Sequence, residues 1–216
     1  MPLVQRLVLT GALAGAFVGF SSFVAGGGMT VTDHQVLSVM SSIWVPALKP
    51  LMLVIAFFGG IEVTVLVIVG LAVYLWRYGF RSDVAALLVL PIAVALELVY
   101  KRLLVHPSVP AADAKGDAPS LTDLFEHAGA GNSYPSGHML RTVVVYGLVA
   151  FVVYRLTTRP WLRLAAALGA LILVVLMAFD RLYLEVHWES DVIGALLLGI
   201  VCLLAAILWL DRPTRA

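Results

Sequence analysis

The run 161-WLRLAAALGALILVVLMAF-179 holds one charged residue, Arg163, in nineteen positions. A helix needs about 20 mostly apolar residues to cross a bilayer, so this stretch reads as a membrane span. Outward from it in both directions the pattern repeats. Leu7–Gly26, Leu51–Tyr74, Val84–Val105, Met139–Tyr154 and Val192–Leu210 are similar runs, which makes six spans. The 216 residues are 62% hydrophobic and 12% charged, with a mean hydropathy of +1.01. A soluble domain is about one-quarter charged, and half that charge cannot build a water-facing coat. The expected fold is all-α, an integral membrane bundle of six transmembrane helices forming a single domain over residues 1–216.

Arg6 and the apolar run to about Val24 have the outline of a secretory signal. A cleaved signal precedes a soluble protein, whereas the rest of this chain is equally apolar, so the run reads as a retained span. Met29–Pro50 differs. Val36, Val39, Met40, Ile43 and Trp44 recur at helical spacing among polar residues, the pattern of an amphipathic helix at the interface; a loop is the other reading. Gly59 and Gly60 mark a possible close-packing site between helices. Cys202, the single cysteine, reads as packing. A net charge of +1 gives no footprint for nucleic acid.

With the N-terminus inside, the inner connections hold Arg6, Arg77, Arg81, Arg155, Arg159, Arg163, Arg212 and Arg215. The outer side holds Lys49, Lys101, Arg102, Lys115, Arg141 and Arg181. Lys101, Arg141 and Arg181 are assigned to chemistry below, so the basic excess lies inside. Both termini are then cytoplasmic and the chemistry faces outward. The stretch Pro107–Tyr134, with Asp113, Lys115, Asp117, Asp123, Glu126 and His127, is on that outer side. Its length marks it as either functional or disordered.

Three segments at span ends carry the chemistry. Glu97, Lys101 and Arg102 close the third span; Glu97 precedes Lys101 by one helical turn, so the two can pair. Snorkeling to the interface is the other reading of such a charge. Tyr134-Pro135-Ser136-Gly137-His138 opens the fourth span. Free N–H groups and the positive helix end favour an anion there. Ser136 adds a hydroxyl and His138 a titratable proton; a plain helix start capped by Ser136 is the alternative. The third segment runs from Arg181 through His187 to Asp191. His187 and Asp191 are four apart, on one face of a helix that starts here, where the carboxylate can orient the imidazole. Alternatively Ser190 or Asp191 is an N-cap, Trp188 an interface anchor and Arg181 a snorkeling charge.

Two histidines, a carboxylate, several cations and a helix N-terminus fit phosphoryl chemistry, which needs positioning and fixed positive charge around the transferred group. One imidazole can attack phosphorus while another protonates the leaving oxygen. Asp113, Asp117 and Asp123 are too loosely spaced to suggest a divalent site.

These segments resemble the signature motifs of the type 2 phosphatidic acid phosphatase superfamily. Pro135–His138 meets its second motif in full, and Arg181, His187 and Asp191 meet the spacing of its third. The resemblance implies His187 as nucleophile, giving a phosphohistidine, Asp191 as its orienting group and His138 as general acid. It implies Lys101, Ser136, Gly137 and Arg181 as phosphate binders, with no metal and no other cofactor. The first motif departs from the pattern Lys, six residues, Arg, Pro. After Lys101 those two positions are Ser108 and Val109, and a proline occurs instead at Pro107, preceded by His106. Arg141, three residues after His138, is the candidate to replace the missing cation.

The expected function is a membrane lipid phosphatase acting on a polyprenyl diphosphate, phosphatidic acid or phosphatidylglycerol phosphate. A phosphotransferase using the same phosphohistidine and a non-catalytic lipid-phosphate binder or transporter are the alternatives. The expected partners are the lipid bilayer and its phosphate-bearing lipid, with no nucleic acid; oligomeric state leaves no mark in the pattern. A neutral His187 working with a protonated His138 implies a bell-shaped pH profile around mildly acidic to neutral pH.

Overall fold

The computed structural model describes residues 3–110, 113–116 and 131–212. Asp117, Asp123, Glu126 and His127 of the stretch Pro107–Tyr134 lie outside them. The described residues are helical, with no β-strand and one isolated bridge between Pro107 and Asn132.

The helices are α1 (Leu3–Ala25), α2 (Thr30–Ser42), α3 (Lys49–Gly59), α4 (Ile61–Arg77), α5 (Val89–Leu103), α6 (Gly137–Leu156), α7 (Pro160–Tyr183) and α8 (Glu189–Leu210). Short 3-10 turns at Pro46–Leu48 and Arg81–Leu88 lead into α3 and α5. Five segments are long and apolar enough to cross a membrane: α1, Arg81–Leu103, α6, α7 and α8. The pair of α2 with Pro46–Gly59, bent by 96°, is either a sixth, broken span or a re-entrant loop, so the described residues hold five to six spans. The chain is thus an all-α, multi-pass membrane bundle.

Helix α6 sits at its centre, packed against α3, α4, α5, α7 and α8, while α1 lies along α8. Leu140, Val144, Val145 and Leu148 of α6 are fully enclosed. The outer face of α7 is the opposite case. Trp161, Leu164, Leu168, Leu171, Val175 and Phe179 recur every three or four residues and are all exposed, as is Ile172 beside them. Such a stripe would aggregate in water and is at rest in lipid.

The second expected span, Leu51–Tyr74, is not one helix. Gly60 is extended (φ −60°, ψ 152°) and separates α3 from α4. A broken helix at membrane depth is tolerated where its freed backbone groups find new partners. Here Arg141 Nε donates to the Gly59 carbonyl at 3.0 Å, and the Tyr146 hydroxyl donates to that of Phe58 at 2.8 Å. Gly59 is also the close-packing site expected from its sequence. A Cβ there would lie 2.7 Å from Met177 Cε and 3.0 Å from the His138 carbonyl oxygen. The break therefore brings a backbone acceptor to the start of α6.

Helix α2 occupies the stretch read as amphipathic, with Val39 and Ile43 exposed and Met40 and Trp44 against the core. Its most enclosed residue is Asp33, for which the apolar spacing gave no signal.

The two ends of the bundle differ. At one, Arg6 pairs with Asp211, which ties the first turn of α1 to the residue after α8. Arg155 and Arg212 flank Asp83 there at 2.7 and 3.7 Å. His138 and Arg155 bracket α6, about 25 Å apart at 1.5 Å per residue, and the sequence motifs gather at the His138 end.

Candidate active site

The sequence places a histidine one turn before an aspartate at the start of α8. His187 Nδ1 lies 3.1 Å from Asp191 Oδ2, and the Trp188 N–H donates to the same oxygen at 3.0 Å. Holding the imidazole through Nδ1 leaves Nε2 for chemistry. The positive end of α8 favours the Asp191 charge. Asp33 reaches the same helix end from α2, accepting the Ser190 N–H and O–H, each at 2.8 Å. Trp188 is enclosed and donates from Nε1 to the Pro107 carbonyl at 2.8 Å. It ties the segment after α5 to the start of α8, and Ser190 is not the N-cap that the sequence left open; Asp191 caps the helix start instead by accepting the Trp188 N–H.

The start of α6 is joined to α8 by the Ser136 N–H, which donates to the Asp191 carbonyl at 3.1 Å. The Ser136 side chain makes no cap bond. Its hydroxyl is wholly buried and has no hydrogen-bond partner among the described residues, so it is a donor or acceptor available to a ligand. Tyr134 anchors the preceding turn, its hydroxyl 2.8 Å from Ser21 Oγ of α1. Burial pushes the Tyr134 phenol up to about 12, so it stays protonated.

Glu97 organises the cations. It lies 3.1 Å from Lys101 Nζ, the pairing expected from the one-turn spacing, and 3.3 Å from Arg141 Nη1. All three side chains are buried. An alanine at Gly137 would place its Cβ 2.2 Å from Glu97 Oε1 and 2.8 Å from Arg141 Nη1. Only a glycine allows these charges to lie against the first turn of α6. Arg141 is therefore turned inward, not snorkeling, and it adds a second cation beside Lys101.

Arg181 is fully enclosed near the end of α7, with Nε 2.8 Å and Nη2 2.5 Å from Asp180 Oδ2. His138 lies within the electrostatic reach of Arg181, Arg141, His187 and Lys101. The structure thus draws all eight expected residues, His187, His138, Asp191, Lys101, Ser136, Gly137, Arg181 and Arg141, to one end of the bundle. Ser108, at the position where the first-motif Arg was expected, lies outside this cluster, bonded to Gly131.

Asp180, Asp33 and His106 were not read as site residues. Asp180 had a signal, since a carboxylate beside an apolar run is costly unless paired. Asp33 and His106 had none, because their partners are 157 and 84 residues away. Among the described residues, no three of His, Cys, Asp and Glu are grouped to hold a metal ion.

Fold and site together define a helical membrane bundle with a buried, cation-rich His–Asp site at one end. The chain belongs to the PAP2 superfamily, which residues 106–215, just over half of its length, match. It is 32% identical over 143 residues to an Escherichia coli protein named "Putative undecaprenyl-diphosphatase YbjG", covering 64% of this chain and 65% of that one. It is 38% identical over 78 residues to an undecaprenyl-diphosphatase of Sulfolobus acidocaldarius, covering 36% and 34%. The chain thus spans less than two thirds of either relative. The fold is that of the transmembrane PAP2 type phosphatidylglycerolphosphate phosphatase of Bacillus subtilis. That match has a TM-score of 0.80 and 21% identity, over 95% of this chain and 98% of the other.

Proposed function

We propose that this protein is a membrane lipid phosphatase that hydrolyses a lipid phosphate or diphosphate through a phosphohistidine at His187. The observation that carries the reading is the oriented His187–Asp191 pair, 3.1 Å apart, beside the buried cations Lys101, Arg141 and Arg181. Neutral His187 attacks phosphorus through Nε2 while Asp191 stabilises the charge that develops on its ring. His138 gives its proton to the departing lipid oxygen. Lys101, Arg181, Arg141, the Ser136 hydroxyl and the Gly137 N–H hold the phosphoryl oxygens. Water then cleaves the phosphohistidine, with His138 taking a proton from it and phosphate leaving.

The diphosphatase names of both relatives support a polyprenyl diphosphate as substrate. The lipid tail stays in the bilayer, where its transfer costs nothing. The distribution of Arg and Lys supports a site on the outer face with both termini cytoplasmic, and the Arg6–Asp211 pair at the opposite end is in keeping with it.

The test is phosphate release by the purified protein in detergent, with and without EDTA. The panel is undecaprenyl diphosphate, phosphatidic acid and phosphatidylglycerol phosphate, with His187→Ala as control. Release that survives EDTA and vanishes in the variant supports the histidine mechanism. Release abolished by EDTA, or retained by His187→Ala, overturns it. Added alcohol acceptors that capture the phosphoryl group would identify a phosphotransferase, and lipid binding without release a binder.

A further inference from the structure

His106 is a titratable group beside this site that the mechanism does not use. It ends the turn after α5, directly before Pro107, and its backbone is fastened on both sides. Its N–H donates to Asn132 Oδ1 at 3.0 Å, and its carbonyl accepts the Ser133 N–H at 3.0 Å. The ring is therefore aimed, and it points at the start of α8. Nε2 lies 3.1 Å from Ser190 Oγ and 3.5 Å from Asp191 Oδ1.

The proton inventory fixes the tautomer. Ser190 has one hydroxyl proton and gives it to Asp33 Oδ2 at 2.8 Å. Its oxygen can then only accept from His106. Asp191 Oδ1 is also an acceptor. It is wholly buried and makes no hydrogen bond of normal geometry. Nε2 faces two acceptors and so must carry a hydrogen. A buried carboxylate oxygen left without a donor is costly, and His106 is the group facing this one.

We propose that His106 is a positioning residue that acts through Asp191, its Nε2–H steadying the second carboxylate oxygen, so that the orienting unit is His106–Asp191–His187. This rests on the phosphohistidine reading for its kinetic consequence but not for its geometry. One carboxylate then serves two imidazoles, His187 at Oδ2 and His106 at Oδ1. When His106 takes a second proton at Nδ1, its positive charge competes with His187 for Asp191, and the carboxylate supports the charge on His187 less strongly. No bond other than that N–H is made or broken. The other groups facing this chain are Asp33 from α2, Glu189 near Asp33, and Tyr134, whose ring centroid is 6.2 Å from that of His106. Asp33 is already engaged by Ser190 through both oxygens, and Tyr134 stays protonated, so Asp191 is the carboxylate on which a His106 charge is felt.

The experiment follows the His187 ring through a pH titration by NMR, on the full chain in detergent with 15N-labelled histidine. Only five histidines are present, and single variants assign them. His106→Gln keeps a side-chain N–H donor but cannot titrate. We expect the wild-type His187 curve to show a second inflection that His106→Gln loses. Ser190→Ala keeps both imidazoles and leaves Asp191 as the remaining acceptor, so the second inflection persists there. In kinetics, His106→Ala loses about tenfold in kcat with KM unchanged, the scale of removing a group that orients a reacting side chain. His106→Gln recovers most of that kcat at pH 8 and loses one ionisation from the acidic limb. Superimposable His187 curves in wild type and His106→Gln overturn the proposal, as does loss of the inflection in Ser190→Ala. The NMR arm needs no substrate, so a chain that releases no phosphate from any lipid would refute the phosphatase reading while the coupling is still decided.

Discussion

Each end of the bundle holds one carboxylate between two cations. At the motif end Glu97 stands between Lys101 and Arg141; at the other Asp83 stands between Arg155 and Arg212. The difference is water. Lys101 and Arg141 are 2% and 1% exposed, whereas Arg155 and Arg212 are 28% and 29% exposed. Asp83 is itself buried, but its cations reach water, so that cluster is partly screened and contributes little beyond tying helices together. A buried triad keeps its field, because little water reaches it to screen the charges. On the proposed function, the same three charges act as a clasp at one end and as part of an anion site at the other.

The comparison can be broken experimentally, beginning with the largest expected effect. His187→Ala should lower phosphate release about a thousandfold or more, as loss of a nucleophile does. Arg155→Ala should leave it unchanged; equal losses in the two would show that the ends are not functionally distinct. Next comes stability. Glu97→Gln removes the carboxylate that lies between two buried cations and should cost about 3–5 kcal/mol, read as a large fall in Tm in detergent. Asp83→Asn should cost about 1 kcal/mol, because its partners are screened by water. Equal falls would mean that burial does not separate the clusters. Third, Arg141→Ala should reduce kcat/KM about a hundredfold if it supplies the cation that the first motif lacks; unchanged turnover and affinity would leave Arg141 with packing alone. The smallest effect belongs to Arg212→Ala, below about 1 kcal/mol in stability and fading with added salt.

Much of this was legible along the chain. Apolar runs such as Trp161–Phe179 marked membrane helices because length and hydropathy are local properties. The four-residue spacing Glu97–Lys101 became a contact of 3.1 Å because helical geometry fixes which side chains meet; His187 and Asp191 also meet at 3.1 Å, but His187 precedes α8 and the contact forms because Asp191 turns back to the helix start, where it accepts the Trp188 N–H. The Leu51–Tyr74 run concealed a broken helix. Its break at Gly60 is stable because Arg141, 82 residues from Gly59, accepts the role of donor to the freed carbonyl, and hydropathy carries no record of such a partner.

By itself the sequence determined an all-α membrane bundle and the residue types gathered at one end of it, since both follow from periodicity and short spacing. Only the tertiary structure decided which charges share a site. It set Glu97 between Lys101 and Arg141, Asp180 against Arg181, Asp33 on Ser190 and His106 beside Asp191. Apart from Glu97–Lys101 and Asp180–Arg181, these contacts join residues far apart in the chain. Whether a buried charge is neutralised, shared or left to attract a ligand depends on its neighbours in space, and chain order does not specify them.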